Sequence, residues 1–386
     1  MSIQVTISGN FSCANRGDLA ILRGLLNIIN EDANKIQIIT KDVANARSFL
    51  GLEYKIIEED SVVKSKSRIY RNLYRLFILL GLFRIARKFS TKNKQFEKVY
   101  FVGGAYFIET YGVGKLDLLA YFLNRSHNVQ LIGHSVGPFQ HFLYKKISKN
   151  LYKECTFIGV RDIISLESFN NTLNLKKNIQ LIPDTAFAFI PELLRENIIS
   201  KKAKERTTIG ITVRELSPFD KILNISQQEY NNIFLNLVQF LLSKGIDVVV
   251  VSMCTPLNGY HKDDRSTAKE IFDSINDENF KIIEDELSDL EIGEVFKSCD
   301  LVIGTRLHSC IISMGVGTPA IAVYYEHKSL GIYQKMGLIE LSKMINELEN
   351  HEEIFELIKK IIVPSFRENL RQIVNAEREF LNNLFL

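Results

Sequence analysis

An arginine and a histidine two residues apart, Arg306 and His308, follow directly on the apolar run Leu301-Val302-Ile303 and the break Gly304-Thr305. The glycine ends a strand, and the helix-period residues from Arg306 run to Gly317-Thr318-Pro319, where glycine and proline stop a helix. A second strand, residues 320–324, then delivers Tyr325-Glu326-His327-Lys328 to the same end of a parallel sheet. Guanidinium groups grip phosphate and carboxylate through paired N–H bonds, lysine adds a point charge, and a helix start adds its positive dipole end. Arg306, Arg214 and Lys328 therefore suit a small polyanion, and His308 suits proton transfer beside it. A lone histidine is more often structural than catalytic, and this one stands where open α/β sheets hold ligands, so both readings stay open.

The N-terminal half offers a second set at its own strand ends: Asn15 and Asp18, Gly103 and Gly104, His134, and Arg161. The run Asn15-Arg16-Gly17-Asp18 reads either as a turn with an N-cap or as ligand contacts, and nothing local decides. The elements that must carry these groups alternate along the chain. Strands are expected at 3–7, 35–40, 54–58, 99–102, 129–132, 156–160 and 179–182, most of them separated by helix-length stretches. After a polar, basic tract at 191–206 the pattern restarts, with strands at 207–213, 247–252, 280–283, 301–303 and 320–324. This alternation predicts an α/β protein of two facing Rossmann-like domains with parallel sheets and an interdomain cleft. The expected divisions are residues 1–195, residues 206–363 and a closing C-terminal helix over 364–386.

A length of 386 residues agrees with two domains. Five cysteines, at 13, 155, 254, 299 and 310, are too scattered for a disulfide framework, and no pair has zinc spacing, so reduced thiols in a cytosolic protein are expected. The N-terminus lacks a basic start followed by a long apolar run, so no secretion signal is expected, and no apolar run reaches the length that a bilayer-spanning helix needs. Charge is uneven: residues 64–98 hold eleven basic side chains and one acidic one, a net of +10. The whole chain is +3, so the remainder carries −7. Within that segment residues 68–89 place leucine, isoleucine and phenylalanine near helical spacing between arginines. An amphipathic helix on an anionic membrane, a nucleic-acid patch and a core helix with a solvated face compete, and the aliphatic bulk favours the membrane.

The ordered set Asn15 to Ile21, Val102-Gly103-Gly104, Gly133 to Pro138, Arg161-Asp162, Pro183-Asp184, Arg214, Gly304 to His308, Gly317-Thr318-Pro319 and Tyr325 to Lys328 resembles the polysaccharide pyruvyl transferase family over about residues 5–340. Ala105 stands where the family more often has a third glycine, and the basic segment is outside the common pattern. The resemblance implies a GT-B-like fold and transfer of a pyruvyl group from phosphoenolpyruvate to two hydroxyls of a sugar, in a cell-surface polysaccharide or its lipid-linked precursor. With that chemistry in view, His308 is expected as general acid, with Arg306 and Arg214 on the donor's anionic groups and Lys328 as a further contact. His134 and Asp18 are expected to face the acceptor, with Asn15, Gly103 and Gly104 lining the substrate. No metal and no cofactor beyond the donor substrate is expected, and no nucleic acid. The implied location is cytoplasmic, with residues 64–98 touching the inner face of the plasma membrane. A GT-B glycosyltransferase taking a nucleotide sugar is the rival enzyme, and a membrane-associated scaffold the non-enzymatic rival.

Overall fold

A computed structural model describes residues 3–9, 11–59, 68–82, 96–175, 179–190, 206–217, 219–324 and 327–385. The chain divides into two compact units, Met1–Cys13 with Ile29–Thr185, and Ala14–Ile28 with Ala186–Leu386. The expected division near 191–206 differs in two ways. The cut falls at Thr185, and the helix α1 (Arg16–Ile28), which follows the first strand, belongs to the second unit. Residues 191–205 lie outside the described residues.

The first unit holds β1 (Val5–Ser8), β2 (Ile36–Thr40), β3 (Lys55–Glu58), β4 (Lys98–Phe101), β5 (Gly104–Phe107), β6 (Asn128–Val136), β7 (Phe157–Val160) and β8 (Ile179–Leu181). They form one parallel sheet in the order β3-β2-β1-β4-β6-β7-β8, with β5 paired to β6. Around it lie α2 (Val43–Leu50), α3 (Arg68–Leu79), α4 (Leu116–Leu123), α5 (Phe142–Tyr152) and α6 (Ile163–Glu167). An aromatic core of Phe101, Phe107, Phe122, Phe139, Tyr152 and Phe169 fills the space between strands and helices. The run Gly103-Gly104-Ala105-Tyr106, which follows the expected strand at 99–102, is the entry to β5. A Cβ at Gly103 would lie 2.6 Å from the Gly133 carbonyl oxygen and 2.8 Å from that of Ile132, and Gly104 has φ +151°. Only glycine lets this backbone lie so close to β6.

The second unit holds β9 (Thr208–Thr212), β10 (Asp247–Val250), β11 (Phe280–Ile282), β12 (Leu301–Gly304), β13 (Ala320–Tyr324) and β14 (Ser342–Met344), again all parallel. Their order is β11-β10-β9-β12-β13-β14, the two-halved Rossmann arrangement whose direction of winding reverses between β9 and β12. With α1 its helices are α7 (Asp220–Leu223), α8 (Gln227–Ser243), α9 (Asp264–Phe272), α10 (Asp289–Ser298), α11 (Leu307–Gly315), α12 (His327–Lys335), α13 (His351–Ile361) and α14 (Pro364–Asn382). Ser226 with Glu229 and Ser288 with Glu291 form capping boxes that start α8 and α10. Gly317, at φ +82°, ends α11 by donating to the Met314 carbonyl while Thr318 donates to that of Ser313. All five cysteines are buried and none is in a disulfide.

Arg161, at the end of β7, was expected among the ligand-facing cations. It is buried, donating to Ser135 Oγ at 2.9 Å and to Asp184 Oδ2 at 2.5 Å, and Asp184 is equally buried. Its neighbour Asp162 caps α6 through the Ser165 amide at 2.7 Å. Removing one partner of such a pair strands the other charge, at a cost of about 3–5 kcal/mol. Arg161→Met should accordingly lower the unfolding free energy measured in urea by that amount; an unchanged value would show that the pair contributes nothing.

Candidate active site

The reversal point of the second sheet is where its sequence places cations. Beyond β9 come Val213 and Arg214, and beyond β12 come Thr305, Arg306 and the start of α11. The turn out of β12 is tied down by hydroxyls. Thr305 Oγ1 donates to the Thr212 carbonyl at 2.9 Å, Thr212 and Ser309 share a hydroxyl bond at 2.9 Å, and Ser309 Oγ donates to the Arg306 carbonyl at 2.6 Å. A side chain at Gly304 would collide with the side chains of Ser309 and Cys310, so this turn needs glycine. The opening amides of α11 have no side-chain cap from Arg306. They and the helix dipole favour an anion.

Arg306 is gripped by Asp264, the first residue of α9, with Nε to Oδ2 at 2.6 Å and Nη2 to Oδ1 at 2.5 Å. Asp264 also accepts from the amides of Met253 and Cys254 at 3.2 and 3.0 Å. The expected anion clamp is thus held by a buried carboxylate, which fixes its plane and offsets its charge. Arg214 is buried, donates from Nε to the Glu215 carbonyl at 2.8 Å, and lies 5.2 Å from the Phe219 ring centre. Tyr230 links the two arginine-bearing turns, its hydroxyl accepting from the Arg214 amide and contacting Thr305 Oγ1 at 3.4 Å.

The other wall comes from the N-terminal segment. Asn15 bridges to Cys254 as an isolated antiparallel pair, and its Oδ1 accepts from the Gly17 amide at 3.0 Å. Asn15 therefore serves as the cap of α1, the plainer of its two readings. Arg16, which sequence reasoning passed over as part of a turn, is fully buried. It donates to the carbonyls of Leu287 and Ala14 at 2.5 Å each and to Thr255 Oγ1 at 2.9 Å, and it pairs with Glu286. Arg23 grips the buried Asp289 with bonds of 2.8 and 2.9 Å. These two arginines fasten α1 to the second unit and set Gly17 against His308. A Cβ on Gly17 would lie 2.7–2.8 Å from Cβ, Cγ and Nδ1 of that histidine.

Asp18, half-buried in the first turn of α1, faces the same cluster. Its charge acts on two groups that the sequence did not signal, Cys254 and Tyr260, whose Sγ and hydroxyl lie 3.8 Å apart. Burial first, with Asp264 and Asp18 adding to it and Arg306 opposing, pushes the Cys254 thiol up to about 12. Burial likewise pushes the Tyr260 phenol up, with Cys254 and Asp18 reinforcing it and Arg306 opposing. Both stay protonated at neutral pH. Asp18, Cys254, Tyr260, Asp264 and Arg306 thus form one polar cluster inside the second unit, with His308 two residues beyond Arg306 and set against Gly17.

With this geometry in view, the comparison that decides kinship is a model of the polysaccharide pyruvyl transferase family, which matches residues 15–327. The chain belongs to the polysaccharide pyruvyl transferase family. The amylovoran biosynthesis protein AmsJ of Erwinia amylovora is 32% identical to this pyruvyl transferase family member, across 93% of this chain and 95% of AmsJ. Among solved structures, Anabaena Alr3699/HepE in complex with UDP and glucose is similar with a TM-score of 0.57 at 13% identity, covering 98% of this chain and 97% of that one. A glycosyltransferase from Rickettsia africae is similar with a TM-score of 0.55 at 12% identity, covering 99% and 94%. At these identities the likeness concerns the fold: two Rossmann-like domains of the kind found in GT-B enzymes.

Not every residue expected at the site of this pyruvyl transferase family member reaches one. His134 has no exposed surface; Nε2 lies 3.3 Å from the Phe101 carbonyl, and the ring stacks on Phe107 at 5.1 Å. It is a core residue of the first unit, and the expectation that it faces an acceptor is corrected on that ground. Gly103 and Gly104 answer to the close approach of β5 and β6. Lys328 lies in the first turn of α12, and Tyr325 and Glu326 lie outside the described residues.

Burial lowers the ordinary His134 value of 6.5 to about 3, with the Phe101 carbonyl opposing and Arg161 reinforcing. Between those values the unfolded chain takes up a proton that the native state refuses. Stability is therefore full above about 6.5 and falls, on the order of 1 kcal/mol per pH unit, as pH drops toward 3. His134→Asn, which cannot take that proton, should flatten the slope in urea titrations at pH 4 to 7; an unaltered slope would refute the assignment. Gly17→Ala, by overpacking against His308, should cost about 1–3 kcal/mol, and an unchanged midpoint would mean that the ring yields.

Proposed function

We propose that this protein transfers the pyruvyl group of phosphoenolpyruvate to two hydroxyls of one sugar in a cell-surface polysaccharide or its lipid-linked precursor, forming a cyclic ketal and releasing phosphate. The observation that carries the proposal is the meeting of family membership with position. Arg214, Arg306, His308 and the uncapped start of α11 gather at the reversal point of the second sheet, where such folds hold their ligands. The exopolysaccharide context rests on the likeness to AmsJ.

Phosphoenolpyruvate is an enol phosphate, and its methylene carbon is the basic site. His308 donates a proton there, and C2 becomes electrophilic as the carbon–carbon double bond is used to form the new C–H bond. One sugar hydroxyl adds to C2, losing its proton, and phosphate departs with the electrons of the C–O bond. The second hydroxyl then adds to C2 and closes the ring. Of the two hydroxyl protons, one restores His308 and the other leaves with phosphate, so the reaction balances. Arg306 and Arg214 engage the donor's phosphate and carboxylate, and the α11 amides add to them. Arg306 enters this role already oriented by Asp264, which limits the reorganisation needed when the donor binds. Lys328, in the first turn of α12, supplies a further cation, and Asp18 takes the acceptor-side role of holding or deprotonating a hydroxyl.

Purified protein incubated with phosphoenolpyruvate and candidate galactosides or N-acetylmannosaminides should yield a sugar carrying one pyruvyl ketal by mass spectrometry, with an equal amount of phosphate. His308→Gln should reduce turnover by about 10²–10⁴-fold while phosphoenolpyruvate still shifts the melting temperature. Near-normal turnover in that variant would remove the general-acid role. Stabilisation and turnover by UDP-sugars, with none by phosphoenolpyruvate, would replace the proposal by glycosyl transfer.

A further inference from the structure

Most helices of this protein turn their apolar side inward, but α3 also has one facing out. Leu73, Leu76 and Leu80 recur at i, i+3 and i+7 along α3 and its C-terminal turn, and are 52%, 49% and 60% exposed. On the opposite side of the same helix Ile78 is buried in the first unit's core. Arg75 pairs with Asp117 through bonds of 2.9 and 2.6 Å, and Asn150 of α5 donates to the Ile78 carbonyl at 2.8 Å. The helix is therefore anchored by one face while it presents leucines with the other. Its neighbour α5 does the same at its start, where Phe142 is 71% exposed and Leu143 44%. Leu82, just beyond α3, is a further exposed leucine.

Charge selects the occupant of this surface. Neither α3 nor α5 contains an acidic residue, and α5 carries Lys145, Lys146 and Lys149. Asp117 holds Arg75, and Glu109 accepts from the amides of Gln140 and His141 at 2.7 Å each. The sequence from 64 to 98 has a net charge of +10. Against a second copy of this chain, that surface would set cation against cation. Nucleic acid would match the charge but leave the leucines and Phe142 without an apolar partner. An interface with acyl chains below and phosphate headgroups above satisfies both kinds of side chain.

We propose that α3 and α5 form a peripheral docking surface for an anionic bilayer, with Leu73, Leu76, Leu80, Phe142 and Leu143 entering the headgroup boundary and the lysines meeting lipid phosphates. The surface lies in the first unit and shares no residue with the cluster around His308, so it stands or falls apart from the proposed reaction. Among the described residues no helix is long and apolar enough to cross a membrane, and the contact proposed lies on one leaflet.

The test is co-sedimentation of the full chain with vesicles of phosphatidylcholine alone or mixed with phosphatidylglycerol in equal parts. Binding to the anionic vesicles should be tighter by about tenfold or more and should weaken with added salt. Replacing the three leucines together, Leu73→Gln, Leu76→Gln and Leu80→Gln, should abolish most of it with little change in melting temperature, because these side chains already face solvent. Lys146→Gln with Lys149→Gln should reduce only the salt-sensitive part. Failure of the unaltered protein to bind, or equal binding to both vesicles, would overturn the proposal. So would a dimer in sedimentation velocity that the leucine replacements dissolve, since that would assign the stripe to self-association.

Discussion

The second unit depends on a guanidinium that cannot shed its charge. Arg16 stays protonated at any physiological pH, so burying it requires that its N–H groups be met inside the protein. Its partners lie in the segments beyond β10 and β11: Thr255, Glu286 and the Leu287 carbonyl, together with the Ala14 carbonyl next to it. Its own amide donates to the Met253 carbonyl at 2.9 Å. Two loops and a helix start are thereby held in one arrangement. The register of that arrangement decides that Gly17, with no side chain, meets His308, and that Asp18 falls near Tyr260 and Cys254.

A second pair, the buried Asp264 with the partly buried Arg306, sits a short way along the same cluster. Burying two charges seldom adds net stability, because the attraction between them must first replace the water both have lost. The pair does fix direction. The Oδ2 of Asp264 that accepts from Arg306 Nε also accepts from two amides of the segment after β10, so a guanidinium docked on it is aimed by backbone and not by a mobile side chain. Electrostatic catalysis depends on such pre-aimed dipoles, because charge that develops during reaction then finds its partners already in place. The cost is a polar cluster in which loss of one member strands another.

Much of the fold was legible because parallel strands buried on both faces read as short aliphatic runs. The four consecutive valines at 248–251, three of them in β10, and the Leu301-Val302-Ile303 of β12 are such runs, the first followed by Ser252 and the second by Gly304. β5 was missed because Gly103-Gly104 has the composition of a turn, although it needs glycine for close approach to β6. β14 was missed because Ser342-Lys343-Met344 has no apolar run at all. At the site, Arg306, His308 and Arg214 were legible from their place after strands. Arg16 was not, since its partners Thr255 and Leu287 stand 239 and 271 positions away. Asp264 read as an ordinary helix start. His134 carried the same local signal as His308, a histidine near glycine at a strand end, yet Gly133 at φ +75° and the register shift beside it keep β6 running on past the histidine and turn the ring into the core. Local pattern finds the ends of strands; it does not tell which side chains those ends turn inward.

The assignment of α1 to the second unit also sets an order of events during synthesis. The helix leaves the ribosome well before residues 286–289, where an aspartate and a carbonyl that receive its arginines lie. Until those residues emerge, then, α1 lacks these partners, while the first unit can assemble from Met1–Cys13 and Ile29–Thr185. Closing so long a loop is slow in any chain, because its entropy must be spent before the contact forms. A nascent chain stalled before β12 would expose the apolar face of α1, which carries Leu19, Leu22, Leu25 and Leu26, and would present it to chaperones. The segment that walls the cluster around His308 is thus made well before the partners that hold it in place.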